Sequence, residues 1–434
     1  MTVTVVANGE IVDQGGRRRL DVAVDDDTGV VIDLGPAPRR DRTLDAEGCV
    51  VVPGLVDLNT HLRQPGFEAA GTVESGSRGA ALGGYTAVIA MPDTEPCTDN
   101  AAVVSEILAL AKGAPCQVVP AAALTVETRG ALLAPLGELA ALGVTVFGDA
   151  NRGLQDPAVF RRALEYLGSV GTGDATKLLA VQRVHEMGLA GDGVMHEGAW
   201  SARLGLPGMP ALAEELMVNQ SIGLAHLTGV PVHLQQISTA ASAELVRQAK
   251  ARDYPVSAEV SPHHLVLDHE AVAGYDPNLK MLPPLREPAD VAAMVAAVAD
   301  GTIDVIASDH FPHTMDAKER PFDQAPFGVI GLETAIAVLL SETELDLEQL
   351  LAAMSWQPAA LAGLSEQGGP IEVGKPANLA IIDPTATWTV GRDSFGGYAT
   401  NSPYLGHQLR GRVRHTIYRG LPVVVDSELA NTTS

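Results

Sequence analysis

Eight short apolar runs alternate with amphipathic stretches between residues 55 and 309, and this alternation constrains the fold more than any other feature. The strand-like runs are LVDLNT (55–60), YTAVIAMP (85–92), QVVPAAAL (117–124), VTVFGD (144–149), KLLAV (177–181), VPVHLQQ (230–236), PVSAEV (255–260) and IDVIASD (303–309). Helical patterns at 101–113, 129–143, 157–168, 210–229, 239–253 and 288–301 separate most of them. Each strand–helix unit must bury one strand face and one helix stripe together. Eight such units predict an α/β fold, a closed (β/α)8 TIM barrel rather than an open sheet. Two more helical patterns follow, at 331–342 and 346–363. Residues 1–52 are short β runs broken by Gly and Asp, and residues 365–434 return to β character. The simplest organisation is a small β-sandwich domain built from 1–52 and 365–434, flanking a barrel over 53–364.

Composition narrows the function classes. The chain has 53 Asp and Glu against 29 Lys and Arg, a net charge of −24. That charge excludes nucleic acid and anionic membranes as natural partners. Three cysteines, Cys49, Cys97 and Cys116, lack CxxC spacing, so neither a disulfide framework nor a thiolate metal site is expected. The start of the chain does not read as a signal peptide, and no apolar run reaches the ~18 residues of a membrane span. A soluble, cytoplasmic protein is expected. Two motif matches carry nothing. Gly369 to Lys375 fits part of a phosphate-binding loop, but Pro376 stands where Ser or Thr must hold magnesium. Asn431-Thr432-Thr433 matches a glycosylation acceptor, which has no meaning in a cytoplasmic chain.

In a barrel of this kind the chemistry sits at the C-terminal ends of the strands. The first strand ends in Asn59, His61 and Arg63, and residues two apart share a face, so Asn59 and His61 point the same way. The second offers Asp93, and the fourth Asp149, Ala150 and Asn151. The fifth ends at Val181 and the sixth at Gln236. The seventh runs into His263 and His264, and the eighth into Asp309, His310 and His313. Taken alone, His61 and Asp309 read as a packed, hydrogen-bonded pair. His263 and His264 read as packing or supporting residues. Arg63 divides between an anion contact and a salt bridge to Asp93.

The blocks PGLVDLNTHLRQPG, GGYTAVIAMPDT, EVSPHHL, KMLPPLR, IASDHFPHT, APFGVIGLET and GKPANLAIID, in this order, resemble the dihydroorotases of the cyclic amidohydrolase superfamily. That resemblance implies a zinc pair held by His-x-His on strand one, an Asp after strand four, a His on each of strands five and six, and an Asp on strand eight. Here those positions read Asn59 and His61, Ala150, Val181, Gln236 and Asp309, with His185 close enough to replace the strand-five ligand. His61 and Asp309 are then remnant ligands, and Asp309 a vestigial catalytic base. Valine and alanine carry no donor atom, and zinc takes imidazole, thiolate or carboxylate. The family's substrate contacts are also altered. Arg63 and His313 remain, Asp93 replaces an Asn, and Leu282 replaces another. The resemblance therefore implies a homologue of pyrimidine biosynthesis without catalysis and without a cofactor. Its implied role is that of the inactive chains that partner aspartate carbamoyltransferase in a mixed oligomer. The alternative is an active cyclic amidohydrolase with a rearranged or single zinc, held by His61, Asp309 and either His185 or His313.

Overall fold

All six residues of the first barrel strand, Leu55–Thr60, are buried, as expected of a parallel strand covered on both faces. In the computed structural model, which describes residues 2–35, 40–170 and 178–430, seven more strands follow it around a closed barrel. They are Tyr85–Ala90, Gln117–Pro120, Val146–Phe147, Leu179–Arg183, Val232–Gln235, Val256–Val260 and Val305–Ile306. Neighbours pair in parallel. Bridges from Ala122 to Phe147 and from Thr60 to His310 complete the ring. Lys177, where the fifth run begins, and the Asn431–Thr433 acceptor lie outside the described residues.

The barrel interior is filled by Val56, Leu58, Ala87, Ile89, Met91, Val119, Val146, Leu179, Val181, Val305 and Ala307. These aliphatic side chains and one methionine pack a narrow interior without aromatic rings. A helix at Val73–Leu82 covers the space between the first two strands. Its entry is set by a capping box in which Thr72 and Ser75 bond each other's backbone. The 129–143 pattern gives helix only over Leu136–Ala141. Pro135 lacks an N–H and stands just before that helix, and Leu133 is drawn into a bridge with Thr125.

Both chain ends build one β unit. A seven-stranded sheet pairs Val50–Pro53 antiparallel with Leu379–Thr389 and parallel with Glu10–Asp13. A four-stranded sheet of N-terminal strands packs beside it around Val6, Ile11, Val22, Leu44, Val51, Leu379, Ile381 and Ile417. Residues 369–375 are irregular, Pro376 bridges Val30, and no helix follows. A turn at residues 373–374 takes the place of a phosphate-binding loop. Among the described residues, no helix is long and apolar enough to cross a membrane.

Candidate active site at the barrel mouth

Four strand-end residues adopt left-handed backbone: Arg63 (φ 69°), Ala150 (φ 45°), Gln236 (φ 53°) and Asp309 (φ 51°). For residues with a side chain this conformation is strained, and it persists only where the surroundings demand it. All four lie at strand ends on the barrel mouth. The side chains at the mouth divide into two groups.

On the side of strands one, two and four the charged groups are paired. His61 Nδ1 meets Asp93 Oδ1 at 2.6 Å, and Arg63 Nη1 donates to Asp93 Oδ2 at 3.0 Å. Asn151 Nδ2 adds a longer bond to the same oxygen, 3.3 Å. Burial pushes the Asp93 carboxyl up, but the His61 and Arg63 interactions outweigh it and hold Asp93 below the usual carboxylate range. His61 stacks on Phe311 with ring centroids 4.1 Å apart, and the Arg63 guanidinium lies over the Phe67 and Phe311 rings. His61 therefore pairs with Asp93, not with Asp309. Arg63 takes the salt-bridge role rather than presenting a free anion contact. The cavity beside His61, lined also by Leu62, His310 and Glu333, measures about 10 Å³, room for one water at most.

On the side of strands five to eight the fit is poorer. The expected strand-five position, Val181, does not reach the mouth: its side chain belongs to the aliphatic barrel filling. Arg183, two residues on and so on the same face, comes to the mouth instead. It is buried, and its Nη2 donates to the Leu282 carbonyl. Gly153 permits this placement, since a Cβ there would meet the Arg183 carbonyl oxygen at 2.3 Å. Burial lowers the Arg183 pKa, and Asp309 is the strongest opposing charge. Burial likewise raises the Asp309 carboxyl to about 6, with Arg183 the strongest charge opposing that rise. His263 Nε2 stands 3.7 Å from Asp309 Oδ2. Gln236 lies near Asp309, yet neither of its polar atoms has bond-quality geometry to any partner. Arg183 Nε and His263 Nε2 are also buried without one.

Asn59 is absorbed into a buried network below the mouth. Its Nδ2 donates to Glu259 Oε1 at 3.0 Å, and His233 Nε2 meets Glu259 Oε2 at 3.0 Å. The other imidazole nitrogen of His233 meets Ser257 Oγ at 2.8 Å, so both sides of that ring are satisfied. Asp149, one residue before Ala150, is turned to the Thr125 amide and hydroxyl. His264 bonds Ser261 and the Pro283 carbonyl, a supporting role. His313 Nε2 donates to the Phe327 carbonyl at 2.7 Å, which fixes the ring and leaves Nδ1 as its acceptor nitrogen. His185 lies past the strand end, and burial, with the Arg183 and Arg286 charges, takes its pKa down to about 4.

A zinc pair does not fit this donor set. Its six positions hold a carboxamide at Asn59, His61, a methyl at Ala150, a guanidinium at Arg183, a carboxamide at Gln236, and Asp309. Zinc sites use imidazole, thiolate or carboxylate, and a divalent ion beside Asp309 would face the Arg183 cation. Among the described residues, one group of three donors is close enough to share an ion: His196, His269 and Glu287, with ligand atoms within 4.8 Å of one another. It lies away from the strand-end set and is poorly disposed. His196 Nδ1 is 3.2 Å from Arg286 Nη1, and a guanidinium only donates. The neutral ring therefore carries its proton on Nε2, the nitrogen 3.8 Å from Glu287.

The family model "Dihydro-orotase-like" matches residues 48–242. The chain is 41% identical to the dihydroorotase of Citrifermentans bemidjiense over 425 residues, covering 96% of this chain and 98% of that one. It belongs to the dihydroorotase family. The dihydroorotase of Leifsonia xyli subsp. xyli is also 41% identical, over 98% of this chain and 96% of its own. Among solved structures, the L-hydantoinase of Arthrobacter aurescens superposes with a TM-score of 0.85 at 23% identity, covering 99% of this chain and 98% of that one. The dihydropyrimidinase of Brevibacillus agri gives 0.82 at 21%, covering 99% and 96%. At such identities the structural likeness speaks for the amidohydrolase fold alone.

Proposed function

We propose that this dihydroorotase-family chain does not hydrolyse cyclic amides and acts as a non-catalytic partner of aspartate carbamoyltransferase in a mixed assembly. The observation that carries the first part is Arg183. A buried guanidinium is the principal counter-charge of Asp309, where a metal-dependent amidohydrolase needs a divalent ion to activate water. The losses at Asn59, Ala150 and Gln236 point the same way. The partnership rests on the resemblance to inactive chains of this kind. It is consistent with a barrel shell that keeps its closure and filling while its donor set is gone. Mixing the purified chain with the carbamoyltransferase from the same source tests it. The two should co-migrate, and the transferase should change in activity or stability. Separate migration with unchanged transferase activity would sink the partnership.

A second reading is favoured by the relatives, which are named dihydroorotases at 41% identity over nearly the whole chain. It is a working ring-opening amidohydrolase with a rearranged or single zinc using His61, Asp309 and His185 or His313. Near-stoichiometric zinc after purification, lost on chelation together with turnover, would establish it. Each of His61 and His313 has one ring nitrogen engaged, by Asp93 and by the Phe327 carbonyl, so the other nitrogen would have to serve as the ligand, and the Arg183 cation opposing Asp309 would have to be displaced.

A further inference from the structure

A cavity of about 760 Å³ opens beside the barrel mouth. Its walls come from residues 275–278 after the seventh strand, residues 313–323 after the eighth, and residues 392–405 near the C-terminal strands. The charged and titratable lining is Lys318, Arg320, Arg392 and His313 against Asp276, Glu319 and Asp323. The acids and both arginines are exposed, whereas Lys318 is 7% exposed. Close enough for Lys318 to feel its charge lies a second buried ammonium, Lys280, at 3% exposure.

Each ammonium carries three N–H donors, and each gives one to a backbone carbonyl. Lys318 Nζ bonds the Pro326 oxygen and Lys280 Nζ the Asp323 oxygen, both at 2.9 Å. Lys280 also rests over the Phe327 and Phe322 rings. Among the described residues, no carboxylate stands in ion-pair contact with either lysine. Asp323 and Asp276 act only at longer range. Burying two neighbouring cations without a counter-ion is costly, and in a chain of net charge −24 acids were available to pair with them. Burial, reinforced by Lys280, brings the Lys318 pKa down to about 7.

We propose that this cavity binds a small oxyanion carrying two or more negative charges, a phosphate monoester or a dicarboxylate. Lys318 contacts it at the floor, Lys280 supplies charge from behind, and Arg320 and Arg392 close the rim. The proposal stands apart from the state of the barrel mouth and holds whether or not the chain is catalytic.

Calorimetric titration of the full chain at low salt tests it, with inorganic phosphate and succinate as separate probes and sodium chloride at matched ionic strength as control. Saturable binding of phosphate, succinate or both is expected, and the better probe names the class. Lys318→Met should weaken it at least about tenfold, the size of a lost charge-assisted bond. The exposed-site variants Arg320→Gln and Arg392→Gln, which leave the core intact, should each weaken it by about threefold. The proposal is overturned if neither probe binds, if chloride reproduces the response, or if all three variants bind like the parent chain.

Discussion

The two sides of the barrel mouth have closed over their altered residues in different ways. Around strands one, two and four, one carboxylate, Asp93, collects His61, Arg63 and Asn151 in a hydrogen-bonded cluster, with Arg63 Nε the buried donor left over there. Around strands five to eight, Arg183, Gln236, His263 and Asp309 come together with buried donors and acceptors left over. On the first side a single carboxylate, Asp93, is enough to turn three neighbours inward. The second shows the opposite case. A buried cation supplies the counter-charge of Asp309, but its planar fork leaves Gln236, His263 Nε2 and its own Nε without bonds.

The largest effect that would break this comparison is at Arg183. Arg183→Met should cost about 3–5 kcal/mol in urea unfolding, because it leaves Asp309 buried without its main counter-charge. Adding Asp309→Asn should return at least about 1 kcal/mol; strict additivity would mean the two do not form a unit. Asp93→Ala should cost about 2–3 kcal/mol by leaving His61 and Arg63 without their shared acceptor. A loss under about 1 kcal/mol would show that the paired side is no better satisfied than the other.

The pH dependence sharpens the contrast. Asp309 has its folded pKa raised from 3.8 to about 6, so the folded state binds that proton more tightly than the unfolded state. Its penalty on stability grows as pH rises from about 4 to 6 and is complete above that. Asp309→Asn should therefore gain on the parent chain between pH 4 and 7, on the order of 2 kcal/mol. Asp93 is shifted down, and its contribution has the opposite sign: present above the ordinary carboxylate range and lost as pH falls through its lowered pKa. The smallest effect belongs to Asn151, whose 3.3 Å bond only adds to a pair already made. Asn151→Ala should cost about 0.5 kcal/mol, and a loss as large as that of Asp93→Ala would make the cluster cooperative rather than centred on one carboxylate.

The barrel was legible because its strands are continuous apolar runs, which register as strands whatever lies between them. The helix at Val73–Leu82 was not, since VESGSRGAAL buries Ser, Gly and Ala rather than large apolar residues, so its inner face carries little apolar signal. The 129–143 stretch misled in the other direction: its leucines suit a helix, but Pro135 and the Thr125 bridge hold its first half in a loop. At the site, the Arg63–Asp93 pair could be anticipated from two strand ends that neighbour one another. Arg183 could not be placed so readily, because Val181 and Arg183 share a face and only the three-dimensional register says which reaches the mouth. Parity alone would have kept both open. Glu259 and His233 carry no such signal in the sequence, since they bond one another and Glu259 receives Asn59, contacts made across strands far apart in sequence.

The account turns on whether the barrel mouth performs metal-dependent ring opening. The direct measurement is dihydroorotase turnover of the zinc-supplemented chain in both directions, with zinc content read on the same sample and an active dihydroorotase carrying the same tag as control. The account predicts no turnover above buffer and zinc well below one ion per chain while the control is active. Turnover that disappears with chelation and returns with zinc would contradict it, and would mean that Arg183 swings away to admit a metal.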